Sequence, residues 1–252
     1  MTFAITYPAK GRGSFDTGAI LGGTLNASGV VAGPFYRAPA SGSVMKMPGA
    51  TARNATRAGT PCSINDYAVF KAVMSMQSAF SVETDGVFGN DTMAGAKRFQ
   101  ESKGLTQDGI VGKDTSKAIL LPLIIAAAIR QDSAHADMLR RVSVGTVAWE
   151  SGFDLGAVGI LTPDDLGPGQ INDVHGLSED FRLNPYRAVP WLVEFIDINI
   201  RALGYDLDGG IAAYNLGVTG AKKWVAAGRP QKWGSTDVWA YIANIKRLGW
   251  IP

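Results

Sequence analysis

Glu150 stands near the end of Thr146–Asp154, "TVAWESGFD", directly after an apolar run and a tryptophan. A carboxyl against apolar surface is penalised when charged, so its pKa rises. A general acid working near neutral pH needs that shift. The residues alone leave a second role open, a solvated helix-end charge that caps a bend or pairs with Arg140 or Arg141. Two later stretches carry further polar groups. "DDLGPGQIN" is a glycine-rich turn presenting the amide of Gln170, and "AAYNLG" sets Tyr214 beside Asn215 at a helix-to-loop junction.

The elements that must position these groups are helical. "ADMLRRVSVGTVAWE" has apolar residues at helical spacing, burying Leu139, Val142 and Val147 and leaving Glu150 at the edge of a core. Gly152 is expected to stop this helix, separating Glu150 from Asp154. "PLIIAAAIRQDS", "NPYRAVPWLVEFIDINIRALG" (closed by Gly204), "GGIAAYNLG" and "DVWAYIANIKRLGW" read as further helices, and no sustained alternation of strands appears. The apolar run Ile119–Ile129 contains Pro122 and falls short of the roughly 20 residues of a membrane span, so it reads as the start of a buried helix.

Composition narrows the chemistry. The 252 residues suffice for one large or two small domains, and the net charge of +2 does not call for nucleic acid as a partner. One cysteine, Cys62, excludes an internal disulfide. The histidines are His135 and His175, without zinc-ligand spacing, so a zinc hydrolase is rejected and no cofactor or metal is expected. Cys62 lies in the linker "GTPCSIN", a poor seat for a nucleophile. The start, "MTFAITYPAKGRG", has neither the basic beginning nor the apolar core of a signal peptide. Residues 1–61 are rich in Gly, Ala, Ser, Thr and Pro, basic, and expected to be irregular; either an arm for an anionic surface or a soluble flank suits them.

Between residues 62 and 120 the chain repeats itself. "TDGVFGNDTMAGAKRF" is answered by "QDGIVGKDTSKAIL", with Asp85, Gly86, Gly89, Asp91 and Thr92 matching Asp108, Gly109, Gly112, Asp114 and Thr115. Each Asp-Gly pair predicts a tight turn. Val87 and Ile110 are the expected apolar plugs, and Asp91 and Asp114 the expected helix N-caps. The alternating acids and closing glutamate of a calcium loop are missing. "DYAVFKAVMSMQSAF" and "MAGAKRFQESKG", ending at Gly104, supply helices around the turns.

This repeat, over Ile64–Leu120 with Asp85–Thr92, Phe99–Gln100, Leu105 and Asp108–Thr115, resembles the three-helix peptidoglycan-binding module of type 1. From about Leu121 onward, Glu150-Ser151, Gly167-x-x-Gln170 and Ala-Tyr214-Asn215-x-Gly resemble lytic transglycosylases of the soluble-transglycosylase, goose-lysozyme-like fold. "YIANI" resembles that family's later tyrosine helix. The resemblance implies a mainly α chain: an irregular segment (1–61), a peptidoglycan-binding module (62–120) and an all-α lysozyme-like domain (121–252). It implies Glu150 as the single acid/base, with Ser151, Gln170, Tyr214, Asn215 and Tyr241 lining the sugar cleft. The usual Gly-Leu-Met-Gln is Gly167-Pro168-Gly169-Gln170 here, and Leu216 replaces the usual alanine.

The implied reaction cleaves the bond between N-acetylmuramic acid and N-acetylglucosamine with formation of a 1,6-anhydro ring. A hydrolytic muramidase would need a second acid, for which Asp154, Asp164, Asp165 and Asp173 are candidates. A non-catalytic wall-binding or virion structural protein is the other alternative. The domain order resembles modular endolysins of phages with Gram-negative hosts. It implies a monomer without a membrane span whose partner is the glycan strands of peptidoglycan. Such a protein accumulates in the host cytoplasm and meets the wall at lysis, or rides on the virion.

Overall fold

The computed structural model describes residues 64–250 apart from 87 and 160–162, together with short strand pairs before them. Those pairs are β1 (Thr24–Leu25) with β2 (Val31–Ala32) and β3 (Thr56–Arg57) with β4 (Thr60–Pro61), both antiparallel. The rest of residues 1–61, Cys62 and the expected plug Val87 lie outside the described residues. The protein is mainly α, as the sequence predicts. The helices are α1 (Ile64–Phe80), α2 (Asn90–Ser102), α3 (Lys113–Gln131), α4 (Ala136–Glu150), α5 (Glu179–Arg182), α6 (Pro185–Ala202), α7 (Leu207–Ala226) and α8 (Val238–Gly249). A two-residue hairpin of β5 (Lys232–Trp233) and β6 (Thr236–Asp237) precedes α8. No helix among the described residues is long and apolar enough to cross a membrane.

Helix ends follow local chemistry. Ser178 accepts the Phe181 N–H at the start of α5, and Asp237 accepts the Ala240 N–H at the start of α8. Gly104 and Gly204, the expected stops, have φ of 66° and 67°. Behind them Leu105 N–H bonds to Gln100 C=O and Tyr205 N–H to Ile200 C=O, the six-to-one bond of a Schellman motif. α1 closes with the same bond, Val82 N–H to Gln77 C=O, but its left-handed residue is Ser81 (φ 55°).

Two sequence expectations need correction. Asp91 and Asp114 are not N-caps: α2 is entered from Gly89 without a side-chain cap, and both aspartates lie inside the first turn. There they complement the helix dipole instead. Ile119–Ile129 does not start a helix. α3 begins at Lys113 and runs through Pro122, because the second copy of the repeat has already nucleated it.

The chain forms two compact units. The first comprises residues 1–120 and 150–188, and the second residues 121–149 and 189–252. In the first, Tyr67, Ala68 and Phe70 of α1 form a buried cluster with Leu166 and Leu183. α1 thus supports the 150–188 segment as well as the repeat. A Cβ on Gly156 would come within 2.8 Å of the Ala68 carbonyl oxygen, so chain and helix touch backbone to backbone. The Tyr67 hydroxyl donates to Asp180, and Lys71 pairs with the same carboxylate at 2.6 Å.

In the second unit α4 and α8 run antiparallel in contact. A Cβ on Gly145 would meet the Ile245 carbonyl oxygen at 2.1 Å, and one on Gly249 would meet the Arg141 carbonyl oxygen at 2.0 Å. One turn further on, Trp149 meets the edge of Tyr241, with ring centroids 6.4 Å apart. Arg141–Gly249, Gly145–Ile245 and Trp149–Tyr241 are therefore successive rungs, one helical turn apart on each helix.

Candidate functional site

Glu150 is the last residue of α4 and is half-buried. The helix before it is buried at Leu139 and from Val142 to Ala148, with Leu139, Val142 and Val147 inside as the sequence predicts. Arg140 and Arg141, its sequence-level pairing candidates, both bind Asp137 at 2.7 Å. Ser151 is fully buried. The chain then turns through two left-handed residues, Gly152 (φ 63°) and Phe153 (φ 71°). For phenylalanine that conformation carries strain, which clusters at functional sites. Asp154 points inward, 2 % exposed, and accepts the Gly156 N–H.

Gln170 belongs to a miniature hairpin of three short stretches, with bridges Val158–Leu166 and Leu166–Ile171. Its turn is built on contact: a Cβ on Gly167 would lie 2.0 Å from the Arg182 carbonyl oxygen. Gln170 is itself left-handed (φ 49°), 9 % exposed, and its Nε2 donates to Gly167 C=O at 3.1 Å. Its Oε1 is buried without a donor among the described residues. A buried arginine fastens the hairpin. Arg182, 4 % exposed, donates through Nη1 to the carbonyls of Asp164 and Ile171. Asp165 accepts from Asn172 Nδ2 at 2.7 Å. Nothing in "DFRLNP" announces Arg182, because a lone arginine usually remains in solvent.

Tyr214, Asn215 and Tyr241 belong to the second unit. Tyr214 stands edge-on to Phe195 at 5.8 Å, and Phe195 stacks on Trp191 at 4.9 Å. Asn215 is exposed, and its Oδ1 accepts from the Thr236 hydroxyl at 3.4 Å. The expected junction after "AAYN" is a break and not a loop. Gly217 takes φ 68°, ψ 158° inside α7, and the helix then resumes. Tyr241 is buried against Trp149, the neighbour of Glu150 in the chain. The structure thus collects Glu150, Ser151 and Gln170 in the first unit and Tyr214, Asn215 and Tyr241 in the second. Among the described residues no cluster of His, Cys, Asp and Glu could hold a metal ion.

The repeat is held by a pair of residues the sequence motif did not single out together. Gln77 Nε2 donates to Asp85 Oδ1, eight residues on, and to Thr92 Oγ1, fifteen on; its Oε1 accepts the Gly86 N–H. Gln100 repeats these bonds at the same spacing, to Asp108, Thr115 and Gly109, and also donates to Ile110 C=O. Each turn glycine has φ 74° and lies against the preceding helix, Gly86 on Phe70 and Gly109 on Met93. A Cβ at either position would press on that side chain and sit in a left-handed conformation that side chains rarely adopt. Phe88 and Val111 are both fully buried, and Val111 lies one residue beyond the expected plug Ile110. Ile110 is only half-buried, because the turn draws its N–H onto Asp108.

Residues 80–119 match the model of the family described as "Putative peptidoglycan binding domain". No curated protein matches the chain. The chain therefore carries a peptidoglycan-binding module, and the stapled repeat is its framework.

Proposed function

We propose that this protein is a cell-wall lytic enzyme, a peptidoglycan lytic transglycosylase that serves phage-driven lysis of the host. The observation that carries the reading is Glu150 at the end of a buried helix in a chain that also carries a peptidoglycan-binding module. The left-handed backbone at Phe153 and Gln170 supports it, since Phe153 closely follows Glu150-Ser151 and Gln170 is itself one of the residues that resemble the transglycosylase motifs.

The module holds the enzyme on its insoluble substrate and raises the local concentration of glycan. Glu150, protonated, gives its proton to the oxygen linking N-acetylmuramic acid to N-acetylglucosamine. Positive charge grows on the muramic C1 and ring oxygen, steadied by oriented dipoles such as the Gln170 amide. Glu150 then takes the proton of the muramic 6-hydroxyl, whose oxygen attacks C1. One carboxyl serves both steps because the nucleophile belongs to the substrate.

Mass spectrometry of digested peptidoglycan tests the proposal. Muropeptides lighter by one water, without a reducing end, are expected. Reducing muropeptides of full mass would replace transglycosylation with hydrolysis and make Asp165, beside the Gln170 turn, the first acid to substitute. Glu150→Gln is expected to lower activity at least ~100-fold, the lower range for a lost general acid, while sacculus binding persists. Full activity in that variant would sink the assignment.

A further inference from the structure

The second turn of the repeat borders a groove of about 470 Å³, within the usual range of ligand sites, roughly 300–1,000 Å³. Leu105 and Ile110 give it apolar walls, and Asp108, Lys113 and Asp114 stand exposed around it. No aromatic side chain lines it, so it lacks the flat platform on which a pyranose ring stacks. The Gln100 amide at its edge is engaged by four internal hydrogen bonds and has little left for a sugar hydroxyl. What the groove offers is both signs of charge around an apolar floor.

The two copies of the repeat show which residues the framework needs. Gln, Asp, Gly and Thr recur with the same hydrogen bonds, so these are structural. In the same register Lys113 faces Asn90 of the first copy, and Thr106 faces Glu83. Neither difference touches a framework bond. The cation is thus an addition of the second copy, placed at the groove.

The geometry points to this groove as the wall-binding site, and to the peptide stem of peptidoglycan, not its glycan, as the ligand. The assignment rests on the wall-binding reading of the module. Stem peptides carry free carboxylates and, at their diamino acid, an ammonium group; the sugars between them offer mainly neutral hydroxyls and amides. Lys113 receives a stem carboxylate, Asp114 receives the ammonium, and Leu105 and Ile110 contact the aliphatic side chains.

The test uses the full chain with Glu150→Gln, so that the wall is not digested, on intact sacculi and on glycan strands stripped of peptide by an amidase. Lys113→Glu should weaken retention on sacculi about tenfold, as expected for reversing one interfacial charge. It should leave binding to stripped strands unchanged, and raised NaCl should narrow the difference. The free stem tetrapeptide should compete for sacculi, and Arg98→Ala, an exposed charge away from the groove, should bind as the parent. Circular dichroism confirms that both variants fold. Equal retention of Lys113→Glu on sacculi, or an equal loss on stripped strands, overturns the stem assignment and leaves the wall-binding reading standing. A parent protein that sacculi do not retain overturns both.

Discussion

Replacing Gln100 with alanine removes the group that ties α2, the Asp108–Gly109 turn and the start of α3 together. Its Nε2 lies 2.9 Å from Asp108 Oδ1, 2.9 Å from Ile110 C=O and 3.2 Å from Thr115 Oγ1, and its Oε1 2.9 Å from the Gly109 nitrogen. The exposed Asp108 recovers its hydrogen bond from water, so its loss costs little. Thr115 and Gly109 are buried and cannot. Leaving those two groups unpaired costs ~1–3 kcal/mol each. The one lost methylene, Cγ, adds ~0.8 kcal/mol. A water entering the vacated space recovers part of this, giving a net destabilisation of about 3–5 kcal/mol, a large share of an ordinary domain's stability.

Urea denaturation followed by far-ultraviolet circular dichroism measures it, together with retention on sacculi. Gln100→Glu sharpens the argument. It keeps the acceptor for Gly109 but loses the donors and sets a carboxylate against Asp108, so its deficit should be larger at pH 7 than at pH 4. Ser102→Ala, removing an exposed hydroxyl bonded within its own helix, should change stability by less than ~0.5 kcal/mol. If Gln100→Ala unfolds within ~0.5 kcal/mol of the parent, the staple is not what holds the turn and the reasoning fails.

Other perturbations have definite signs. Gly145→Ala gains ~1 kcal/mol of helix propensity but drives a methyl to 2.1 Å from the Ile245 carbonyl oxygen, so a net loss is expected from an overpacking cost of ~1–3 kcal/mol or more; a raised melting temperature would refute the contact. Ser81→Gly should stabilise by ~0.5–1 kcal/mol, because Ser81 occupies the left-handed position that Gly104 fills in the second copy; an unchanged urea midpoint would contradict this. Partial burial alone would raise the Asp180 carboxyl, but Lys71, Tyr67 and Arg187 together hold it below its usual value. The depressed group stabilises the fold above the ordinary carboxylate pKa of about 3.9, and that contribution is lost as pH falls through the lower folded value. Asp180→Asn should flatten this acid-side decline in a pH series of melting temperatures, by an amount below ~1 kcal/mol for so exposed a pair.

Periodicity and punctuation made the helices legible. Gly104 and Gly204 stop them where the sequence predicts, and α4 buries Leu139, Val142 and Val147 as its spacing requires. The repeat was legible in its Asp-Gly turns, but not in Gln77, whose partners lie eight to fifteen residues away across a turn. Hydrogen bonds of that reach leave no periodic trace. In the second copy the plug is Val111 and not the expected Ile110, because the left-handed Gly109 changes which following residue faces inward. Arg182 was illegible for a related reason: its acceptors are backbone carbonyls, which every residue has. Gly145 and Gly249 read as ordinary helix glycines until the partner helix is known.

The α4–α8 crossing also sets a schedule for the protein's birth. The helix that ends at Glu150 leaves the ribosome long before the residues that lock it, since Ile245 and Gly249 lie near the far end of the sequence. Until residues 238–249 emerge, α4 has a glycine where a partner backbone should be, and closing that contact means closing a long loop. A chain whose residues 238–249 have not yet emerged lacks the backbone that α4 packs against, so protease resistance of the second unit is expected to follow that docking.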